Sequence, residues 1–118
     1  MPGTRLYSVE LRTADWSRLV GWYRDVVGLR VAVRMTGRQY ALLTGDEGRL
    51  AILGRSDAAS AERRWSLAFE TADLEAVRDR LTAAGVAVVA AESESESYRE
   101  LTVDDPDGNR IRFFTWAR

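Results

Sequence analysis

Asp104-Asp105-Pro106-Asp107-Gly108-Asn109-Arg110-Ile111-Arg112-Phe113-Phe114 is the stretch whose reading decides the fold. Pro106 presets φ for the first central position of a turn, and Gly108 or Asn109 can take the positive φ that closes it. Beyond the turn, Ile111 and Phe113 alternate with Arg110, Arg112 and Phe114. That alternation predicts a strand with one apolar face and one mixed, chemically addressable face.

A cruder copy of this strand lies in the first half of the chain. Tyr7-Ser8-Val9-Glu10-Leu11-Arg12-Thr13-Ala14-Asp15-Trp16 aligns with Trp65-Ser66-Leu67-Ala68-Phe69-Glu70-Thr71-Ala72-Asp73-Leu74. In both copies an alternating strand leads through Thr-Ala-Asp, with the Asp as a helix N-cap, into apolar residues at helical spacing. Trp16, Leu19, Val20, Tyr23, Val26 and Val27 mark the first helix, and Leu74, Val77, Leu81 and Ala84 the second. Gly28 and Gly85 stand where each helix should stop. Three strands follow each helix. In the first half they are Leu29 to Met35, Gln39 to Thr44 and Arg49 to Leu53; in the second they are Val86 to Ala90, Tyr98 to Val103 and the closing strand. The register Gly48 to Leu53 against Gly108 to Phe113 pairs Ile52 with Arg112. The acidic run Glu92 to Ser97 reads as a solvated, mobile loop. The expected architecture is therefore α+β, two βαβββ modules covering 5–54 and 63–118 with a linker over 55–62, because a repeat of this length buries surface that one copy alone cannot.

Composition narrows the chemistry. The chain of 118 residues has no Cys and no His, and all 17 basic residues are Arg. Disulfides, thiolate nucleophiles, imidazole acid–base catalysis and lysine Schiff bases are thereby excluded. A protein metal site would need oxygen ligands alone. The net charge of −1 with scattered arginines argues against a nucleic-acid surface. No apolar run reaches membrane-spanning length and no signal-peptide layout opens the sequence, so the expectation is a cytoplasmic protein.

The two βαβββ modules, the segment Trp22-Tyr23-Arg24-Asp25-Val26-Val27-Gly28-Leu29 and the Asp105-Pro106-Asp107-Gly108-Asn109 turn together resemble the vicinal oxygen chelate superfamily, which includes glyoxalases, extradiol dioxygenases and bleomycin-resistance proteins. The resemblance implies curved mixed sheets around a cleft, and usually a homodimer. In metal-using members the ligands occupy the first and fourth strands of each module, which here are Ser8, Ile52, Ser66 and Arg112. None is a usual ligand: Ile offers no donor atom, a guanidinium no lone pair, and the two hydroxyls bind metals weakly. The resemblance, so modified, implies no metal and no cofactor.

By strand parity the face holding Ser8, Ser66 and Arg112 also holds Glu10, Leu50, Arg110, Phe114 and Trp116. With Tyr40 and Trp65 as further stacking candidates, the predicted ligand-binding set is Ser8, Glu10, Tyr40, Ile52, Trp65, Ser66, Arg112, Phe114 and Trp116. Apolar walls, two hydroxyls and one or two charges suit a flat, partly aromatic small molecule. Arg112 either meets an anionic group of that ligand or pairs with Glu10, and Arg34 and Tyr98 are candidate rim residues. The leading expectation is a metal-independent binding protein, similar to the bleomycin-resistance branch, that sequesters an aromatic or natural-product-like ligand. The alternative is a metal-independent isomerase, cyclase or lyase with Glu10 as base and Arg112 stabilising developing negative charge.

Overall fold

The computed structural model describes residues 7–56, 66–94 and 98–116. The chain divides into two compact units, Met1–Ala59 and Ser60–Arg118. Each is built from one strand, one helix and three strands.

In the first unit, β1 (Val9–Thr13) leads into α1 (Trp16–Trp22), followed by β2 (Arg30–Met35), β3 (Tyr40–Thr44) and β4 (Arg49–Gly54). The sheet order is β1-β4-β3-β2, with β1 parallel to β4 and the other neighbours antiparallel. The second unit repeats the plan with β5 (Ser66–Glu70), α2 (Leu74–Ala83), β6 (Val88–Glu94), β7 (Tyr98–Asp104) and β8 (Arg110–Trp116), in the order β5-β8-β7-β6.

The repeated Thr-Ala-Asp is a helix-entry device. Thr13 Oγ1 accepts from the Asp15 N–H at 3.0 Å, and the Asp15 carboxylate accepts from the Arg18 N–H at 3.4 Å. In the second unit Thr71 Oγ1 accepts from the Asp73 N–H at 3.2 Å, and Asp73 from the Ala76 N–H at 3.1 Å. Each Asp satisfies a helix-start donor that would otherwise lack a partner. Gly28 closes the first helix in the left-handed region, at φ 92°. The last turn before it, Tyr23–Val27, is π-helical rather than the continuous α-helix expected, and it buries Tyr23, Val26 and Val27 together. A widened turn allows the adjacent Val26 and Val27 both to be buried.

One face of each sheet is covered by its helix. Helix α1 packs against β4, and α2 against β8 and β7; Trp16, Leu19, Val20, Tyr23, Leu43, Leu50 and Ile52 in the first unit, and Leu74, Val77, Leu81, Leu101, Val103, Ile111 and Phe113 in the second, are all buried. Trp16 adds a polar tie, donating from Nε1 to the Ile52 carbonyl at 3.0 Å. Arg34, a candidate rim residue, instead lies with its guanidinium 5.1 Å over the Trp16 ring.

The Asp105–Asn109 turn closes as its residue types require. The Gly108 N–H donates to the Asp105 carbonyl at 2.9 Å, and Gly108 takes the positive φ, 84°. The Asp105 carboxylate accepts from the Asp107 N–H (2.9 Å), the Asn109 N–H (2.8 Å) and Asn109 Nδ2 (2.6 Å). This is a three-residue hairpin loop, a turn followed by a left-handed residue.

The acidic run departs from its reading as a loop. Strand β6 continues to Glu94, with Ser93 opposite Glu100 and Glu94 opposite Arg99. Pairing with β7 outweighs the low strand propensity of Ser and Glu, as tertiary context often does. Residues 95–97 lie outside the described residues. No described helix is long and apolar enough to cross a membrane.

Candidate functional site

The second sheet brings four of the predicted residues together on one face: Ser66, Arg112, Phe114 and Trp116. Since Ile111 and Phe113 are buried beneath α2, the period of two turns Arg110, Arg112, Phe114 and Trp116 to the other side. Register adds their neighbours. Arg110 lies between Ser66 and Asp104, Arg112 between Ala68 and Thr102, Phe114 between Glu70 and Glu100, and Trp116 beside Tyr98.

This face has a charged end and an aromatic end. Arg110 Nε is 2.9 Å from Asp104 Oδ1, and Arg112 Nη1 is 3.3 Å from Glu100 Oε2. Such half-exposed pairs contribute about 0–1 kcal/mol to stability, so they orient the guanidinium groups more than they hold the sheet. At the aromatic end, Phe114 and Trp116 meet edge to face at 5.3 Å, and Tyr98 meets Trp116 in the same way at 6.5 Å. Trp116 nevertheless remains 55 % exposed. Ser66 and Ala68 are exposed at the β5 edge, where their small side chains leave the face open.

The first unit places its candidates differently. Glu10 is exposed and in register with Ala51, while Tyr40 lies in a row with Leu53 and Arg12. Ser8 is half-buried just before β1. Ile52 falls one residue out of register with Arg112: it is opposite Leu11 and 0 % exposed, on the face of β4 away from Ala51. Leu50 shares that side. The cause is the length of the last hairpin loop. Thr44 pairs with Arg49 across residues 45–48, whereas Asp104 pairs with Arg110 across 105–109, one residue more. A one-residue slip exchanges the two faces of a strand, so the structural counterpart of Arg112 is Ala51, and Ile52 corresponds to Phe113. Trp65 lies outside the described residues.

Within the second unit Glu100 supplies a carboxylate that meets Arg112. Sequence reasoning missed it, although the tight turn at 105–109 carries the signal. Once that hairpin is registered, Glu100 falls diagonally beside Arg112 on the same face.

A metal of the kind used elsewhere on this fold would meet poor donors here. The first and neighbouring fourth strands present Glu10 beside Ala51, and Ser66 and Ala68 beside Arg110 and Arg112. Methyl groups cannot coordinate, guanidinium groups repel cations, and lone hydroxyls bind weakly. Among the described residues no three acidic side chains gather to hold an ion. The donors that these described rows present do not fit a metal.

Two mixed four-stranded sheets, each backed by one helix and repeated within one short chain, define a βαβββ-duplicated protein with an open, partly aromatic sheet face. The chain belongs to the glyoxalase/bleomycin resistance protein/dioxygenase superfamily, whose family model matches residues 5–113. No curated protein sequence matches it significantly. Similar solved structures include TioX from Micromonospora, at 23% identity and TM-score 0.77, covering 98% of each chain. A virulence protein from Salmonella typhimurium, 20% identical with TM-score 0.77, aligns over 99% of this chain and 100% of its own. Lactoylglutathione lyase from Agrobacterium tumefaciens, 19% identical with TM-score 0.75, aligns over 97% and 95%. At these identities the likeness is one of fold.

Proposed function

We propose that the protein is a metal-independent small-molecule-binding protein that sequesters an aromatic, natural-product-like ligand, working as a cytoplasmic homodimer. The observation that carries the proposal is the exposed Trp116, set edge-on to Phe114 and Tyr98 and open to solvent. An unfilled aromatic corner offers a flat ligand stacking surface that folding has not already used, and stacked or edge-to-face rings contribute about 0.5–1.5 kcal/mol beyond area burial. Arg112, Ser66 and Thr102 supply polar contacts along the adjoining strands. Family membership and a donor set unsuited to metals support binding over the metal-dependent reactions of the superfamily. Arg112 already has a carboxylate neighbour in Glu100, which weakens its assignment as a free stabiliser of negative charge in the enzymatic alternative.

Intrinsic fluorescence tests the proposal. A panel of planar aromatic antibiotics and aromatic acids should include members that quench tryptophan emission and raise Tm at micromolar concentration. Chelator should leave the effect intact, and Trp116→Ala should remove it. A panel with neither quenching nor thermal shift overturns sequestration; binding abolished by chelator overturns metal independence.

A further inference from the structure

We infer that the first unit carries a separate oxyanion site, formed by Arg30, Thr44 and Arg49 and suited to a phosphoryl group. The three residues form one cross-strand row, since Arg30 is opposite Thr44 on one side and Thr44 opposite Arg49 on the other. Direct antiparallel partners point to the same face, and the outer two positions are about 10 Å apart at ordinary strand spacing. Two long arginine side chains therefore flank the threonine.

Three observations single out this row. First, the Thr44 hydroxyl is buried and makes no hydrogen bond among the described residues. A hydroxyl withdrawn from water without a partner is unfavourable, and such a group calls for an explanation. Second, Arg49 is held in place without a carboxylate. Its guanidinium lies 4.4 Å over the Tyr7 ring, and Nη1 donates to the Tyr7 carbonyl at 3.3 Å. Neither Arg30 nor Arg49 forms an ion pair among the described residues.

Third, the internal repeat shows what this position accepts. Hairpin register makes Arg110 the counterpart of Arg49 and Asp104 the counterpart of Thr44. In the second unit the carboxylate at that point closes on the guanidinium at 2.9 Å. The first unit keeps the arginine, replaces the carboxylate with a neutral hydroxyl, and adds a second arginine across the row. The second unit has no arginine between Arg80 and Arg99, the span that includes β6. Where one module supplies its own anion, the other presents two cations and a hydroxyl donor.

A phosphoryl group fits better than a carboxylate. Two guanidinium forks and a hydroxyl offer more donors than two carboxylate oxygens accept in good geometry, and arginine forks match the oxygens of a tetrahedral phosphate. The first unit also has a surplus of arginines over carboxylates, nine against six, which favours an anionic guest. Free phosphate and a phosphorylated small molecule share this chemistry.

The test uses the full chain with inorganic phosphate and phenyl phosphate, against acetate and chloride at matched ionic strength, read by Tm and by amide chemical shifts around residue 44. The expected result is saturable, phosphate-dependent shifts centred on Thr44, with a rise in Tm absent in chloride. Tighter binding of the ester assigns the row to a phosphorylated ligand; equal binding assigns it to free phosphate. Arg30→Gln, at an exposed position, should weaken phosphate binding at least about tenfold. Thr44→Asp, which copies the second module, should raise the ligand-free Tm and abolish the phosphate response. Chloride or acetate acting as strongly as phosphate overturns the proposal, as does unchanged affinity in Arg30→Gln or Thr44→Asp. Aromatic-ligand quenching at Trp116 is read separately, so this site and the sequestration reading can fail independently.

Discussion

Removing the Asp105 side chain probes the turn that joins β7 to β8. Its carboxylate accepts three hydrogen bonds, two from backbone N–H groups and one from Asn109 Nδ2, at 2.6–2.9 Å. Both Asp105 and Asn109 are buried, so the Asn109 donors cannot simply turn to water. Hydrogen bonds to charged groups contribute about 1.5–3 kcal/mol each, and a buried orphan donor costs about 1–3 kcal/mol. Allowing the half-buried Asp107 N–H to find water, Asp105→Ala should cost about 3–5 kcal/mol. That is a large share of the roughly 5–15 kcal/mol that holds a domain together. Asp105→Asn retains one acceptor oxygen for the two backbone donors and should cost about 1–2 kcal/mol. Gly108→Ala isolates the backbone contribution. An added Cβ there meets nothing within 4 Å, so only the left-handed φ of 84° opposes it, at about 1–2 kcal/mol. Equilibrium unfolding in urea, with the slope checked to be unchanged, gives the three values directly. The expected order is Ala at 105 worst, with Asn at 105 and Ala at 108 close together. If Asp105→Ala cost less than about 1 kcal/mol, the carboxylate would not be what fastens the hairpin, and the explanation of the turn would be wrong.

The other expectations are local. Trp16→Phe keeps most of the apolar bulk but loses the Nε1 bond to the Ile52 carbonyl and weakens the Arg34 stack, so it should cost about 1–2 kcal/mol in the same assay. Gly54→Ala drives a methyl into the Gln39 side chain, which is itself fixed at φ 49° beside the Gly54 N–H contact, and should destabilise by about 1–3 kcal/mol. The Arg24 guanidinium donates to both Asp25 carboxylate oxygens, and this hydrogen bonding holds Asp25 below the usual aspartate range. Because the folded-state value is depressed, its contribution is present above the unfolded value and fades as pH falls through the folded one; an NMR titration should show Asp25 returning to the ordinary range in Arg24→Gln.

Sequence revealed local devices better than lateral register. The two Thr-Ala-Asp segments, Gly28 and Gly85 each act within a few residues of chain, so their meaning follows from spacing alone. The faces of β8 were equally readable, because strict alternation from Ile111 to Phe113 leaves one assignment. Strand β4 was different. Arg49-Leu50-Ala51-Ile52-Leu53 is apolar on both faces, so its own pattern cannot say which residues point toward α1. A match of β4 to β8 by sequence alone slips by one, because the loop at 105–109 holds one residue more than that at 45–48. Arg112 alternates with the buried Ile111 and Phe113, but its neighbour Glu100 sits on a strand whose register only the hairpin sets.

The slip changes the chemistry ascribed to the repeat. With Ile52 as the match for Arg112, the two modules would set an apolar residue against a cation at equivalent points. With Ala51 as the match, they become complementary: the first places Glu10 beside Ala51, and the second Ala68 beside Arg112. Each equivalent row holds one alanine and one charge, and between modules the charge changes both its strand and its sign. The row nearest the hairpin shows a related exchange, with Arg110 beside Asp104 in one module and Arg49 beside Thr44 in the other. Duplication has thus preserved strand and helix entry while altering which charges each sheet neutralises for itself. The second module closes its arginines with Glu100 and Asp104 and leaves its aromatic corner open. Among the described residues the first leaves Arg30 and Arg49 without carboxylates, which is why it, rather than its better-conforming copy, is the place to look for a bound anion.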